Sequence, residues 1–284
     1  MKKKREKEKE PQYYMSVTNV PTYNYKVYYM SRQEKIGYAA MAFAVGAVTG
    51  YLFYGGLGKD AYGYATVTTY VLNAVVSVVV GLLAVKFFLP VRTEQILQKK
   101  KRMLNIQFRD MLEGLTTALS AGNNIADSFK AVRNDMSIQY EEGTFILQEL
   151  DVILTGMQNN INVEELLMDF GKRSGIPDIV SFAEVFRVCY RKGGNIRDVI
   201  QNTRGILSDK IQIREEIETT VTASKTEQNL MVVMPVVLIA LIKGTSPEFA
   251  ENFATVSGII STTIAIILFV IAYFVGKKVL EIEV

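Results

Sequence analysis

Four apolar runs, set in two pairs on either side of a long amphipathic region, constrain this chain more than any other feature of its sequence. Ile36 to Gly56 holds no charge, and about 20 such residues are enough to cross a hydrocarbon core of about 30 Å. Gly63 to Leu89 is a second run, with Asn73 as an interior amide and Lys86 close enough to its end to snorkel. The third run, Leu230 to Ile242, covers only about 20 Å at about 1.5 Å per residue. Extending it backwards recruits Glu227, Gln228 and Asn229, which then lie at the interface or face neighbouring helices. Pro235 kinks such a span, as membrane helices tolerate when neighbours satisfy the freed carbonyl. Gly258 to Gly276 is an uninterrupted fourth run. The expected spans are therefore residues 36–56, 63–90, 227–244 and 257–276. Asn73 keeps two readings, a polar step in a transport path or a hydrogen bond between helices.

The basic residues orient these spans. The first connector carries Lys59 and the second Lys243, while the N-terminal tail, the middle region and the C-terminus carry almost all the rest. That bias is satisfied by a multi-pass protein of the cell (inner) membrane, with both termini and residues 91–226 in the cytoplasm. Lys99, Lys100, Lys101 and Arg102, just beyond Pro90, are candidate anchors at the lipid surface or a candidate partner interface.

Charge and composition narrow the chemistry. With 32 basic against 29 acidic residues and a net charge of +3, neither nucleic acid nor an acidic substrate is implied. Cys189 is the only cysteine and histidine is absent, so an intrachain disulfide, a thiolate-rich metal site and the usual general base at neutral pH are all missing. No catalytic residue, cofactor or metal is expected. The tail, residues 1–35, opens MKKKREKEKE, but the apolar stretch of a signal peptide does not follow. Its Tyr13, Tyr14, Tyr23, Tyr25, Tyr28 and Tyr29 suit the membrane–water boundary, and a disordered polar tail is the other reading. Residues 277–284 form a short tail at the other end.

Between residues 91 and 226 the pattern becomes helical. Leu104, Phe108, Met111, Leu112, Leu115 and Leu119 recur at three- and four-residue intervals, and Ala121-Gly122 ends that helix. Asn123 or Asn124 then caps a second helix. Phe145 to Leu154 and, after Asn162, Leu166 to Phe170 make the next hairpin, with a break over Gly175 to Asp178. Ile179, Phe182, Ala183, Phe186 and Cys189 follow at helical spacing, which places Cys189 in a core. Gly193-Gly194-Asn195 caps a last helix, Ile196 to Val221, that runs on towards the third span. Neither a P-loop nor a dinucleotide-binding glycine pattern occurs, and the adjacent pairs Glu141-Glu142, Glu164-Glu165 and Glu215-Glu216 read as solvated faces. No strand pattern competes, so the fold class is all-α, a polytopic protein of four transmembrane helices with a helical domain between the second and third.

Two motifs carry a family resemblance. One is F-x-x-x-L-x-x-L-x-x-A-L-x-A-G-x-x-I at Phe108 to Ile125, through Leu112, Leu115, Ala118, Leu119, Ala121 and Gly122; the other is the turn Gly193-Gly194-Asn195 before Ile196. With Pro235 in the third span and Pro247 in the connector, the chain resembles the type II secretion F-domain family. Within it, the chain looks like a membrane platform subunit of tight-adherence (Flp-type) pilus systems. The resemblance implies a cytoplasmic six-helix, bundle-like F domain over 91–226 and a non-catalytic platform. It further implies an oligomer of one or two kinds of subunit, with a hexameric secretion ATPase, a second F-domain subunit, pilin and membrane lipid as partners. The rival is a small transporter using Asn73, Glu227 or Asn229, or a membrane enzyme, although no apolar run contains the aspartates that an intramembrane aspartic peptidase needs.

Overall fold

The computed structural model describes residues 10–58 and 64–280. The basic run over residues 1–9, Lys59, Gly63 and residues 281–284 lie outside them. Two short strands come first, β1 (Tyr13–Met15) and β2 (Pro21–Tyr23), and nine helices follow among the described residues. These are α1 (Arg32–Tyr54), α2 (Val67–Ser120), α3 (Ile125–Gln139), α4 (Phe145–Gln158), α5 (Val163–Ser174), α6 (Pro177–Lys192), α7 (Ile196–Thr245), α8 (Pro247–Phe253) and α9 (Val256–Leu280). Four of them, α1, α2, α7 and α9, contain a stretch long and apolar enough to cross a membrane. The third such stretch is not a short helix, because it is the C-terminal part of the 50-residue α7.

The chain divides into two compact units. The helical unit comprises Met1–Tyr29, as far as it is described, with Thr93–Ile213; the apolar unit comprises Met30–Arg92 and Arg214–Val284, again as far as described. The chain passes between them inside α2 and inside α7, and once more at Tyr29-Met30.

In the helical unit, local chemistry sets the helix ends. The Asn124 side chain accepts the Asp127 N–H at 2.9 Å, so of the two asparagines it is Asn124 that caps α3. Gly175 and Gly193 end α5 and α6 in the left-handed conformation (φ 59° and 70°), which only glycine adopts without cost. Pro177 opens α6, where its missing N–H is not needed. The buried stripes of these helices meet in one core. Phe108 of α2 sets its ring against Phe182 of α6 at 5.4 Å and Phe170 of α5 at 6.1 Å, edge to face, a favoured aromatic geometry.

Three expectations need correction. The tyrosine segment is not a loose tail over its described residues: β1 and β2 form an antiparallel hairpin with Tyr13 opposite Tyr23, and Tyr25 lies in the core at 2 % exposure. The all-α architecture therefore carries one small hairpin. Cys189 is only half-buried, since it sits near the end of the α6 stripe, three residues before the helix ends at Lys192. Glu164 is buried while its neighbour Glu165 is not, because successive helical residues point about 100° apart. α7 buries Ile200 and Leu207 and leaves Ile206 and Ile213 exposed.

In the apolar unit, the Glu34 carboxylate accepts the Ser31 N–H at 3.0 Å at the start of α1. α1 and α2 approach closely along small residues. A Cβ on Gly46 would lie 2.7 Å from that of Ala84, and one on Gly81 would lie 2.7 Å from the Phe43 ring. This is the seam by which membrane helices associate without a hydrophobic driving force. Pro90 and Pro235 lie inside α2 and α7, each leaving one carbonyl a turn earlier without its helical partner.

Candidate functional site

The residues of the two sequence motifs divide into a buried and a surface group. Phe108, Leu112 and Leu115 are fully buried, and Leu119 packs half-buried against the same core. Ala121 and Gly122 are exposed at the end of α2, Gly122 at φ 90°, and Gly193, Gly194 and Asn195 are exposed between α6 and α7. One bond joins the two turns. Arg197, in the first turn of α7, donates from Nη2 to the Leu119 carbonyl at 2.8 Å, which also accepts the Gly122 N–H at 3.2 Å. Both glycine turns therefore lie at the same end of the helical unit. Pro235 does not join them, because it lies in the apolar unit.

Beside the second turn, α6 and α7 leave an open apolar groove lined by Val185, Val188, Cys189 and Val199, with Glu184 and Lys192 at its edge. Val185 and Val188 are about half exposed (52 % and 50 %). The groove is mainly apolar, with the Cys189 thiol in its lining and the Glu184 carboxylate and Lys192 at its edge. Among the described residues no three acidic or cysteine side chains come together in a way that could hold a metal ion.

The basic cluster is split by its surroundings. Lys99 is exposed, but the Lys100 ammonium lies 4.1 Å from the Tyr28 ring centroid and 5.7 Å from those of Tyr23 and Phe145. Lys100 is thus committed to aromatic faces, an attraction that strengthens with desolvation. Lys101 and Arg102 are half-buried. Of the polar residues in the expected spans, Asn73 accepts the Gly56 N–H at 3.0 Å, and Glu227 and Asn229 are exposed. Their neighbour Gln228 joins α7 to α9 by donating to the Tyr273 carbonyl at 3.0 Å.

The strongest polar constellation was not among the candidates. Glu149 of α4 and Arg173 of α5 form a buried fork, Nη1 to Oε1 at 2.7 Å and Nη2 to Oε2 at 2.6 Å, with 2 % and 4 % of their side chains exposed. Arg173 Nε donates to Asp169 at 2.8 Å, and the Tyr25 hydroxyl donates to Glu149 Oε1 at 2.8 Å. The Tyr25 N–H donates in turn to the Arg173 carbonyl at 3.0 Å. Burial, then the Glu149 charge, raises the Tyr25 phenol well above its ordinary value. Burial opposes the charge on Arg173, but hydrogen bonding and attraction from Glu149, then Asp169, outweigh it and raise its pKa. A signal for this site was present in the sequence. Glu149 stands at helical spacing between Ile146 and Ile153, and Arg173 three residues after Phe170, so both charges interrupt an apolar stripe.

Residues 10–29 and Thr93–Ile213 share one folded unit. α1 and α2 each contain a stretch long and apolar enough to cross a membrane, consistent with a multi-pass membrane protein. Comparison with known proteins finds no family model, no curated protein and no solved structure that matches this chain.

Proposed function

We propose that this chain is a non-catalytic membrane platform of the F-domain type, in which a cytoplasmic helical domain receives a separate secretion ATPase and passes its motion to pilin entering or leaving the membrane. The observation that carries this reading is the continuity of α7. It runs as one helix from the Gly193-Gly194-Asn195 turn, through Pro235, to Thr245. A helix transmits displacement along its axis, and α2 spans both units in the same way from Val67 to Ser120. The paired glycine turns and the apolar groove give the ATPase or a second platform subunit a surface to hold. A transporter reading gains less support, because Asn73 is engaged by the connector backbone.

The test is purification of the full-length chain in detergent with the secretion ATPase of the same cell. Capture is expected, and Asn123→Glu with Lys192→Glu should weaken it at least tenfold without lowering the unfolding temperature. Normal filament assembly in cells lacking the gene sinks the assignment. If Asn73, Glu227 and Asn229 are replaced by apolar residues and a solute flux is lost while ATPase capture survives, the transporter reading takes its place.

A further inference from the structure

The tyrosine-rich segment makes contacts that its sequence position does not require. Its hairpin is internally set: the Asn24 side chain is fully buried and donates to the Pro11 carbonyl at 2.9 Å, while the Asn24 N–H donates to the Gln12 carbonyl at 2.9 Å. The hairpin then meets three helices. Tyr23 and Tyr25 set their rings 5.3 Å and 5.2 Å from Phe145 on α4, and Lys100 on α2 lies over Tyr28. Two glycines let the chain approach this closely. A Cβ on Gly175 would lie 2.7 Å from Lys26 Cγ, and one on Gly156, already blocked by Leu166 Cδ2 at 2.3 Å, would lie 3.0 Å from Thr18 Cγ2. At the centre, the Tyr25 hydroxyl donates to Glu149 Oε1 of the Glu149–Arg173 fork from within the core.

Only Met30 and Ser31 separate this segment from α1. We infer that residues 10–29 are a clip whose latch is Tyr25, seated on Glu149 and Arg173, and that the clip fastens the first apolar helix to the helical unit. The chain passes between the units three times, twice inside long helices and once through this clip. With Tyr25 seated, the third passage is a two-residue link. With Tyr25 unseated, this passage no longer holds α1 to the helical unit, and the connections inside α2 and α7 remain. Seating also keeps the buried ion pair dry, so release admits water to a charge pair that is otherwise enclosed. The clip is a property of the fold and holds whether or not the chain serves a filament.

The experiment uses the full-length chain in detergent, with a protease recognition sequence inserted between Met30 and Ser31. After cutting, the N-terminal fragment should remain bound to the rest of the chain through a sizing column. Tyr25→Ala should release it, Tyr25→Phe should release it in part, and Tyr13→Ala, at a position 58 % exposed, should not. Persistence of a protease-resistant fragment covering residues 93–213 shows that the helical unit is still folded in each case. In the uncut chain, exchange of the Tyr25 amide hydrogen should accelerate at least tenfold on Tyr25→Ala. Loss of the fragment from the unsubstituted cut chain, or equal retention by Tyr25→Ala, overturns the inference.

Discussion

Arg197 reaches the backbone carbonyl of Leu119, 78 positions earlier in the chain, and so caps the end of α2 from the first turn of α7. The bond crosses between the two helices that run through both units. Arg197→Ala is expected to lower the stability of the helical unit by about 1 kcal/mol, the usual net worth of such a bond, with Arg197→Lys intermediate. Urea unfolding of the purified chain, followed by helical circular dichroism, measures the difference.

Gly194 and Cys189 share a space. A Cβ on Gly194 would lie 2.5 Å from the cysteine sulfur, while the Gly194 backbone is not in the left-handed region, so an alanine there is opposed by that side chain alone. Gly194→Ala should cost roughly 1–2 kcal/mol with Cys189 in place and much less in a Cys189→Ala background. Equal costs in both backgrounds would show that the two do not touch.

Glu149 and Arg173 should behave as a buried pair. Glu149→Leu leaves the guanidinium enclosed with only Asp169 and a carbonyl, and is expected to cost about 3–5 kcal/mol. Replacing both, Glu149→Leu with Arg173→Met, should cost less than the single change, because no charge is then left uncompensated. Thermal unfolding of the four proteins, compared as a double-mutant cycle, reads the coupling directly.

Stability should fall in alkaline solution through the buried phenols. Tyr25, Tyr23 and Tyr140 are all raised above the ordinary tyrosine value of 10.0. The unfolded chain therefore releases these protons first, and stability present below pH 10 is lost progressively as the pH rises further. Tyr25→Phe should flatten part of that decline, as seen in unfolding temperatures recorded from pH 9 upward.

In the apolar unit, the seam between α1 and α2 should not accept side chains. Gly46→Leu and Gly81→Val both place atoms where Ala84 or Phe43 already stand, whereas Gly37→Ala meets nothing within 4 Å. Disulfide cross-linking between cysteines placed on the two helices should drop severalfold for the first two changes and stay unaltered for the third.

Much of this architecture was legible in the sequence because its causes are local. The spacing of Phe108, Leu112 and Leu115 marked the buried face of α2, and Gly122, Gly175 and Gly193 marked helix ends, since those signals depend on residues a turn or two apart. The GxxxG spacing of Gly46 and Gly50 was equally local, but its meaning depended on what stood opposite. Tyr25 was misread for the same reason. Strands of three residues leave almost no alternating pattern, and what fixes the segment is a carboxylate 124 positions away. Cys189 followed the stripe of α6 faithfully, yet helical spacing cannot say where along a stripe the covering helix stops. The surface groove of Val185 and Val188 was hidden because exposed and buried valines look alike in a sequence.

The Tyr25–Glu149 contact also sets an order of events during synthesis. A chain made from its N-terminus produces the hairpin first, then α1 and α2, and only afterwards the carboxylate and guanidinium that Tyr25 meets. At ordinary elongation rates the tyrosine waits on the order of ten seconds for its partner. During that interval the first two helices can enter the bilayer as a pair through their own glycine seam. Closure of the hairpin onto α4 and α5 then comes late, after α1 and α2 have been made.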